Sequence, residues 1–517
     1  MTLILKKLVF ITFGILAIAT GIATETMGQS LVLKVVTDEE PVDFTIAQNQ
    51  LLADSASVVS RLKSIREELI ESGYLLASVD KVTWGTDTAT AEIFTGGKYE
   101  WAALKPGNTP EEYLSRIGFR QKVYENSQIA PTALAKLFTK LIETAENNGY
   151  PFASVKLDSV EITKNKIDAV LDMKLNTFTV VDSFIIKGGS KTNRSYIENH
   201  IGIKKGSAFN QSALSRIPNR LRELPFIKTI KPYEVGMRPG KADIYIYIDN
   251  KKASNFDGVL GVLPDNETGE ILITGDVKLN LLNSFKAGET INLQWQRLQT
   301  RTQQLDIAFK YPFLFDTPLG LDLAFNLYRR DTLFSQIDAT VGVDYFFLGS
   351  NSIKVYYQNM QANVISASIF TVDEYVDSRI NLFGVGANVI DLDYRFNPRQ
   401  GYFIEGRAAA GVKNIIKNAE IDDSEYEDVE LESDIYNAKL STGVYLPFGE
   451  RSTILVRAIG GAIVNNSLFR NELFRIGGLK TLRGFDEQAI FASSYLISTL
   501  EYRFILEQNS NIFLFID

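Results

Sequence analysis

Side chains that could make or break bonds are scarce in this sequence. It holds one histidine, His200, and no cysteine among 517 residues, which leaves little material for a transition-metal site or for a nucleophile with its base. His200 reads as an ordinary helix-end residue. The segment from Asn418 to Asp434 carries nine acidic residues, including Asp422, Asp423, Asp428 and Asp434. Carboxylate oxygens suit hard cations, but the spacing matches no calcium motif, so the segment reads as a solvated external loop. No metal and no cofactor are expected. What remains is charge pairing by arginine. The stretch Arg475-Ile476-Gly477-Gly478-Leu479-Lys480-Thr481-Leu482-Arg483-Gly484-Phe485 contains three glycines and sits just ahead of an alternating apolar segment. It reads as a folded loop, and taken alone an Arg-Gly-Phe triplet in such a loop is a surface turn. A guanidinium is nevertheless a planar fork of donors matched to carboxylates. The elements around it must decide whether acids reach Arg483.

The start of the chain is a secretory signal in pattern. Lys6 and Lys7 form a basic start, Leu8 to Ala23 an apolar run, and small residues follow, so residues 1–29 are expected to be a signal peptide. That run is broken by Gly14 and Gly21 and is shorter than the roughly 20 residues of a membrane-spanning helix. Later apolar runs are also too short, although 45% of residues are hydrophobic and 11% aromatic. If a membrane is crossed, a β-barrel must do it. The length calls for several domains, and a net charge of -8 argues against a nucleic-acid partner.

A repeat fills the first half. Ser72-Gly73-Tyr74-Leu75-Leu76-Ala77-Ser78-Val79 recurs as Asn148-Gly149-Tyr150-Pro151-Phe152-Ala153-Ser154-Val155, about 76 residues later, and a further step lands on Leu224-Pro225-Phe226. Ahead of each aromatic runs a helical pattern: Val58, Leu62, Ile65 and Leu69; Leu134, Leu137, Leu141 and Ala145; Leu214, Ile217 and Leu221. Gly73 and Gly149 stop the first two helices, because glycine accepts the left-handed conformation found there. Strand-like runs follow, such as Ser154 to Ile162 and Ile167 to Leu175 around the turn Thr163 to Lys166. In the third copy Thr179 to Ile186 is expected to be a strand, Ser195 to Ile201 and Gln211 to Leu224 two helices, and Phe226 to Tyr233 with Ala242 to Ile248 a hairpin. This β-α-α-β-β order resembles the POTRA domain, a polypeptide-binding module of outer-membrane transport proteins. The resemblance implies that such domains bind clients by lending a sheet edge. The expected boundaries are 30–97, 98–177 and 178–252.

From about Asn255 the pattern becomes dyad. Leu305, Ile307, Phe309 and Tyr311 alternate with Asp306, Ala308 and Lys310, and Leu319 to Leu327 alternate with Asp322 and Asn326. The segments run to roughly 10 residues or more and many end in Tyr or Phe, as membrane strands and their interfacial girdles do. Residues 253–517 are therefore expected to form an antiparallel transmembrane β-barrel, with about 12 complete strands and the start of another. Connections alternate between short, at Asn283 to Gly288, Leu348 to Asn351 and Pro447 to Arg451, and long, at Met360 to Ser378, Asn414 to Asp434 and Asn465 to Ser493. Short periplasmic turns and long external loops give this pattern, with the repeats on the side of the short turns. Glu501 is opposite in phase to Leu496, Leu500, Tyr502 and Phe504, which turns it toward the lumen.

With repeats, barrel and loop in place, the mature chain resembles the BamA/TamA superfamily of outer-membrane assembly and translocation proteins. Three features carry the resemblance: the POTRA-like repeats, the periplasmic-turn signature Asn397-Pro398-Arg399-Gln400-Gly401-Tyr402, and Leu482-Arg483-Gly484-Phe485 on the loop between the eleventh and twelfth strands. The resemblance implies that this loop folds into the lumen and that Arg483 pairs with Glu501 and Asp517 on the next two strands. It implies about 16 strands, so with about 13 present the sequence reads as C-terminally truncated, lacking the last strand and the lateral gate it forms with the first. It further implies unfolded outer-membrane or secreted protein clients, outer-membrane lipids and periplasmic accessory proteins as partners, and residence in the outer membrane of a Gram-negative bacterium. Insertion or translocation of other proteins is the expected function, and a two-partner secretion transporter with one dedicated substrate is the alternative. A barrel enzyme such as an outer-membrane lipase is disfavoured, because His200 lies in a soluble repeat. A passive porin would lack the repeats.

Overall fold

The computed structural model describes residues 30–38, 49–264, 271–299, 302–330, 333–365, 375–418, 421–479 and 481–517; the expected signal peptide lies outside them. The chain divides into two units, Met1–Phe178 and Thr179–Asp517.

The first unit holds two small α/β sheets. Strands β1 (Leu31–Thr37) and β2 (Gln50–Leu52) precede helix α1 (Ser55–Glu71) and the hairpin β3 (Ser78–Trp84) and β4 (Thr88–Phe94), in the sheet order β2-β1-β4-β3. Then come β5 (Glu100–Lys105), α2 (Glu111–Ile117), β6 (Ser127–Gln128), α3 (Pro131–Glu146), β7 (Ser154–Thr163) and β8 (Lys166–Lys174), ordered β6-β5-β8-β7. In both sheets the leading strand runs parallel to the second strand of the hairpin. α1 begins where the Asp54 carboxylate accepts the Ser57 amide at 2.7 Å, a cap that satisfies one orphan donor. Its apolar stripe, Val58, Leu62, Ile65 and Leu69, is wholly buried. The repeated sequence gives repeated geometry: Gly73 and Gly149 have φ of 99° and 95°, and the Tyr74 and Tyr150 amides each donate to a carbonyl of the preceding helix at 3.0 Å.

The second unit opens with β9 (Val180–Lys187), α4 (Arg194–Ile201), α5 (Gln211–Ser215), α6 (Ile217–Arg222), β10 (Ile227–Arg238) and β11 (Lys241–Asn250), with β9 again parallel to the last strand. One expectation needs correction: Gln211 to Leu224 is two short helices rather than one. Pro218 has no amide to give to the carbonyl of Leu214, so the first helix ends at Ser215, capped by Arg216, and the second starts with the proline in its opening turn.

A meander follows: β12 (Asn255–Pro264), β13 (Ile271–Leu282), β14 (Thr290–Gln299), β15 (Thr302–Tyr311), β16 (Leu319–Arg330), β17 (Phe334–Leu348), β18 (Asn351–Val364), β19 (Ser378–Leu392), β20 (Gly401–Ile415), β21 (Glu432–Phe448) and β22 (Ser452–Val464). A two-stranded hairpin, β23 (Phe474–Ile476) with β24 (Ile490–Ala492), interrupts it before β25 (Ser494–Glu507) and β26 (Ser510–Ile516). The strands β12 to β22, β25 and β26 make one 13-stranded antiparallel sheet. Its polarity is that of a membrane barrel. On β25 the outward Leu496 is 77% exposed, whereas the inward Thr499 and Glu501 are 6% and 4% exposed. Asp322 and Asp344 are likewise buried on the inner face while Phe383 and Val385 stand outside, the reverse of a soluble sandwich. Among the described residues no helix is long and apolar enough to cross a membrane.

The α4 repeat is seated on the short turns of this sheet. The Asn283 amide group donates to Thr192 Oγ1 at 2.8 Å, Ser195 Oγ donates to Asp316 at 2.5 Å, and the Tyr196 ring lies 5.7 Å from that of Phe313.

Candidate functional site: a loop pinned inside the barrel sheet

The loop between β22 and β25 runs inward and is fastened at its root, middle and tip. At the root, Lys413 of β20 is fully buried and its ammonium donates to Glu472 Oε2 and to the Ser467 carbonyl, each at 2.6 Å. The ring of Phe469 lies 4.4 Å from the same nitrogen. Such a buried pair stands because each charge faces its opposite. In the middle, β23 and β24 hold Arg475 over the ring of Tyr328 at 3.8 Å, with a hydrogen bond to Gln336 Oε1 at 3.3 Å. Gln488 reaches Gln304 on β15 at 3.2 Å. The loop therefore touches inner-face residues of β15, β16, β17 and β20, and the sheet curls around it.

The tip carries Arg483. Its Nε and Nη2 donate to the two oxygens of Asp517, each at 2.7 Å, and its Nη1 donates to Glu501 Oε2 at 2.9 Å. The Arg483 backbone amide adds a bond to Asp517 Oδ2 at 3.1 Å. Strand parity explains why the acids are there. Glu501 pairs with Phe515 and Leu500 with Ile516, so Thr499, Glu501, Phe515 and Asp517 share the inner face. Thr499 Oγ1 donates to Asp517 Oδ1 at 2.7 Å, Arg503 Nε to Glu501 Oε1 at 2.5 Å, and the guanidinium lies flat over Phe515, 3.5 Å from the ring centre. Two arginines face two carboxylates, so the cluster is neutral. The Asp517 carboxylate, with Glu501 beside it, holds Arg483 protonated beyond an ordinary arginine. The fork-to-fork contact fixes orientation as well as charge, which an ammonium cannot do.

Other members of the motif play different parts. Leu482 packs against the apolar cluster around Phe474 and Ile476, whereas Phe485 is 55% exposed. The turn Asn397–Gly401 lies at the other end of the strands. Asn397 is buried; its side chain donates to the Glu507 and Ser510 carbonyls at 3.4 Å and accepts from Asn511 at 2.7 Å. Arg399 donates to the Glu450 carbonyl at 2.5 Å, so this one turn ties together the turns of β21–β22 and β25–β26. After Pro398, Gly401 has φ of 116°, and a Cβ there would sit 2.0 Å from the Asp391 carbonyl oxygen. His200 is buried beside the Tyr196 ring, with Nε2 3.0 Å from the Arg220 carbonyl oxygen and 3.2 Å from Glu223. No cluster of metal-ligating side chains occurs among the described residues.

Sequence reasoning did not single out Lys413, Glu472, Arg475, Thr499, Arg503 or Phe515. Thr499, Arg503 and Phe515 were open to it, since they share the phase of Glu501 and Asp517. Glu472 stands in irregular chain, where no period marks it.

A curled antiparallel sheet with an apolar outside, a polar inside and an arginine-pinned loop defines a membrane-barrel protein with soluble repeats attached. Residues 283–517 match the Omp85 superfamily domain, in line with the resemblance to BamA and TamA. Among solved structures, the chain is similar to BamA from Haemophilus ducreyi lacking POTRA domains 1–3, at 14% identity over 78% of this chain and 83% of that one, with a TM-score of 0.39. It is also similar to CdiB from Acinetobacter baumannii (12% identity, 80% and 78% covered, TM-score 0.47) and to CdiB from Escherichia coli (12%, 88% and 83%, TM-score 0.48). No curated protein matches the chain.

Proposed function

We propose that this chain assembles or translocates other proteins at the outer membrane of a Gram-negative bacterium, with its repeats in the periplasm. The observation that carries the reading is the Arg483 lock inside a sheet that matches the Omp85 domain and whose short turns support the repeat of β9, α4, α5, α6, β10 and β11. A loop pinned in this way gives the wall a fixed internal brace while the outer face meets lipid. In the repeats, β3, β7 and β10 each end their sheet order. Their outer backbone groups are of the kind that take up an extended client strand, and periplasmic accessory proteins are further candidates for these edges. No bond in a client is made or broken on this reading; the driving force is the client's own folding, and the chain is not an enzyme.

Depletion of the protein from its host tests the proposal. A parallel fall in many outer-membrane barrel proteins is expected, measured by quantitative proteomics of the outer membrane. Loss of a single secreted protein with the others unchanged would overturn it in favour of a dedicated two-partner secretion transporter.

A further inference from the structure

We infer that the barrel interior contains a binding site for a small soluble oxyanion of the phosphate class, on the wall formed by β20, β21 and β22. Arg407, Lys439 and Arg457 point inward from these strands and line one cavity of about 510 Å³, whose lining also includes Thr481 of the loop. Arg407 and Lys439 are direct cross-strand partners. Like charges in that relation destabilise a sheet; the Lys439 ammonium lies 4.8 Å from the Phe474 ring, a contact that leaves its charge unneutralised. Several other interior cations are matched by acids. Lys310 and Lys354 both pair with Asp322, Lys413 pairs with Glu472, and Arg483 and Arg503 share Glu501.

By contrast, Arg407, Lys439 and Arg457 take part in no ion pair among the described residues. The acid whose charge reaches Arg407 and Lys439 is Asp338, and it already accepts a hydrogen bond from Gln358 at 2.6 Å. Arg475 of the loop adds a further positive charge felt by Lys439. Of the six cationic side chains in the lining, Lys310 and Lys354 are held by Asp322, and the other four face two carboxylates, Asp344 and Glu405. Guanidinium groups so placed offer a bound oxyanion charge-assisted hydrogen bonds. Toward the short-turn end, Arg395 lines both this cavity and a second one of about 330 Å³ at the foot of the α4 repeat. This site is independent of which clients the protein handles.

The test is isothermal titration of the detergent-solubilised full chain with inorganic pyrophosphate, in phosphate-free buffer. Saturable heat with about one anion per chain is expected, weakening as sodium chloride is raised. The double variant R407Q/K439Q should lose at least ~10-fold in affinity, whereas K156Q on exposed β7 should bind as the parent does. Absence of saturable heat, or undiminished heat in the double variant, would overturn the proposal. Thermal melting without ligand supplies a second arm. Relief of like-charge repulsion predicts an unchanged or higher melting temperature for R407Q/K439Q. A lower one would mean that the cations hold the wall together rather than wait for an anion.

Discussion

Arg483 owes its place to the parity of two strands. Glu501 could be assigned to the interior from alternation alone, because Leu496, Leu500, Tyr502 and Phe504 fill the other phase. Asp517 came only through resemblance to a family, since a single acid after a short apolar run has no period of its own. The geometry makes lysine a poor substitute. R483K keeps the charge but loses the paired contact to Asp517, so the tip should open more readily by ~2–3 kcal/mol, the scale of one or two hydrogen bonds to charged groups. Hydrogen exchange of the amides from Gly477 to Gln488 should speed up by ~30- to 150-fold; exchange at the parent rate would show that the fork is not what holds the tip. The root anchor was invisible in sequence, because Lys413 and Glu472 are 59 positions apart and one of them stands in irregular chain. K413M leaves Glu472 buried without its cation and should cost ~3–5 kcal/mol, while K413M/E472L should recover most of that loss. Thermal melting of the two variants checks this, and equal damage in both would refute an energetic coupling between them.

At the level of elements, alternation located the barrel strands well, because an inner face of Asp, Gln and Lys and an outer face of Leu, Val and Phe give each strand a period of two. The helix pattern was equally legible in α1, whose four apolar positions are all buried. It failed between α5 and α6, where the apolar stripe of Leu214, Ile217 and Leu221 runs across a proline that breaks the backbone ladder. The turn before β20 makes a sharper demand. Alanine at Gly401 would need both a left-handed φ and the room taken by the Asp391 carbonyl, so G401A should cost well over the ~1 kcal/mol of conformation alone. G206A is the control, because Gly206 has φ of 83° with nothing within 4 Å of its absent Cβ. Urea midpoints should fall far more for G401A, and equal falls would remove the steric argument. The seam of β9, β10 and β11 adds a pH dependence. Arg238 donates to Asp182 and to Asp243, and Ser183 also donates to Asp243. Arg238 lowers the pKa of Asp182, and Ser183 followed by Arg238 lowers that of Asp243. A carboxyl depressed by folding stabilises at neutral pH and loses that contribution as pH falls through its unfolded value, near about 4, toward its folded one. D243N should therefore flatten the acid limb of the melting-temperature profile below about pH 4, and an unchanged slope would exclude Asp243 from it.

The whole second unit depends on how the α4 repeat meets the sheet, a relation that sequence could not supply. Expecting the repeat on the side of the short turns followed from loop lengths, but Tyr196 and Phe313 are ordinary apolar positions more than a hundred residues apart. Nothing in their local patterns says that they meet. The joint is built from both kinds of contact. Tyr196 is buried with its ring 5.7 Å from Phe313 and 6.1 Å from Phe226, and Phe313 stacks on at 5.0 Å from Phe346. The turn it meets is stiffened from within: Asn283 accepts the Gly288 amide at 2.9 Å while donating to Thr192, and Glu289 accepts the amides of Phe285 and Ala287. A Cβ on Gly288 would come within 1.9 Å of the Tyr196 ring, so glycine is what lets the turn approach. Because this aromatic chain bridges repeat and sheet, Y196A should cost ~3–5 kcal/mol as a large-to-small change, and the loss should fall on the joint. The amides of Lys286 and Asn193 report on the two sides, since the Asn193 amide donates across the joint to the Lys286 carbonyl at 2.7 Å. Hydrogen exchange should quicken at Asn193 and through the turn from Asn283 to Glu289, with Arg483 and the loop tip unaffected. If exchange rose equally at the loop tip, the joint and the lock would be one cooperative structure, and motion of the repeat would pass directly to the loop inside the barrel.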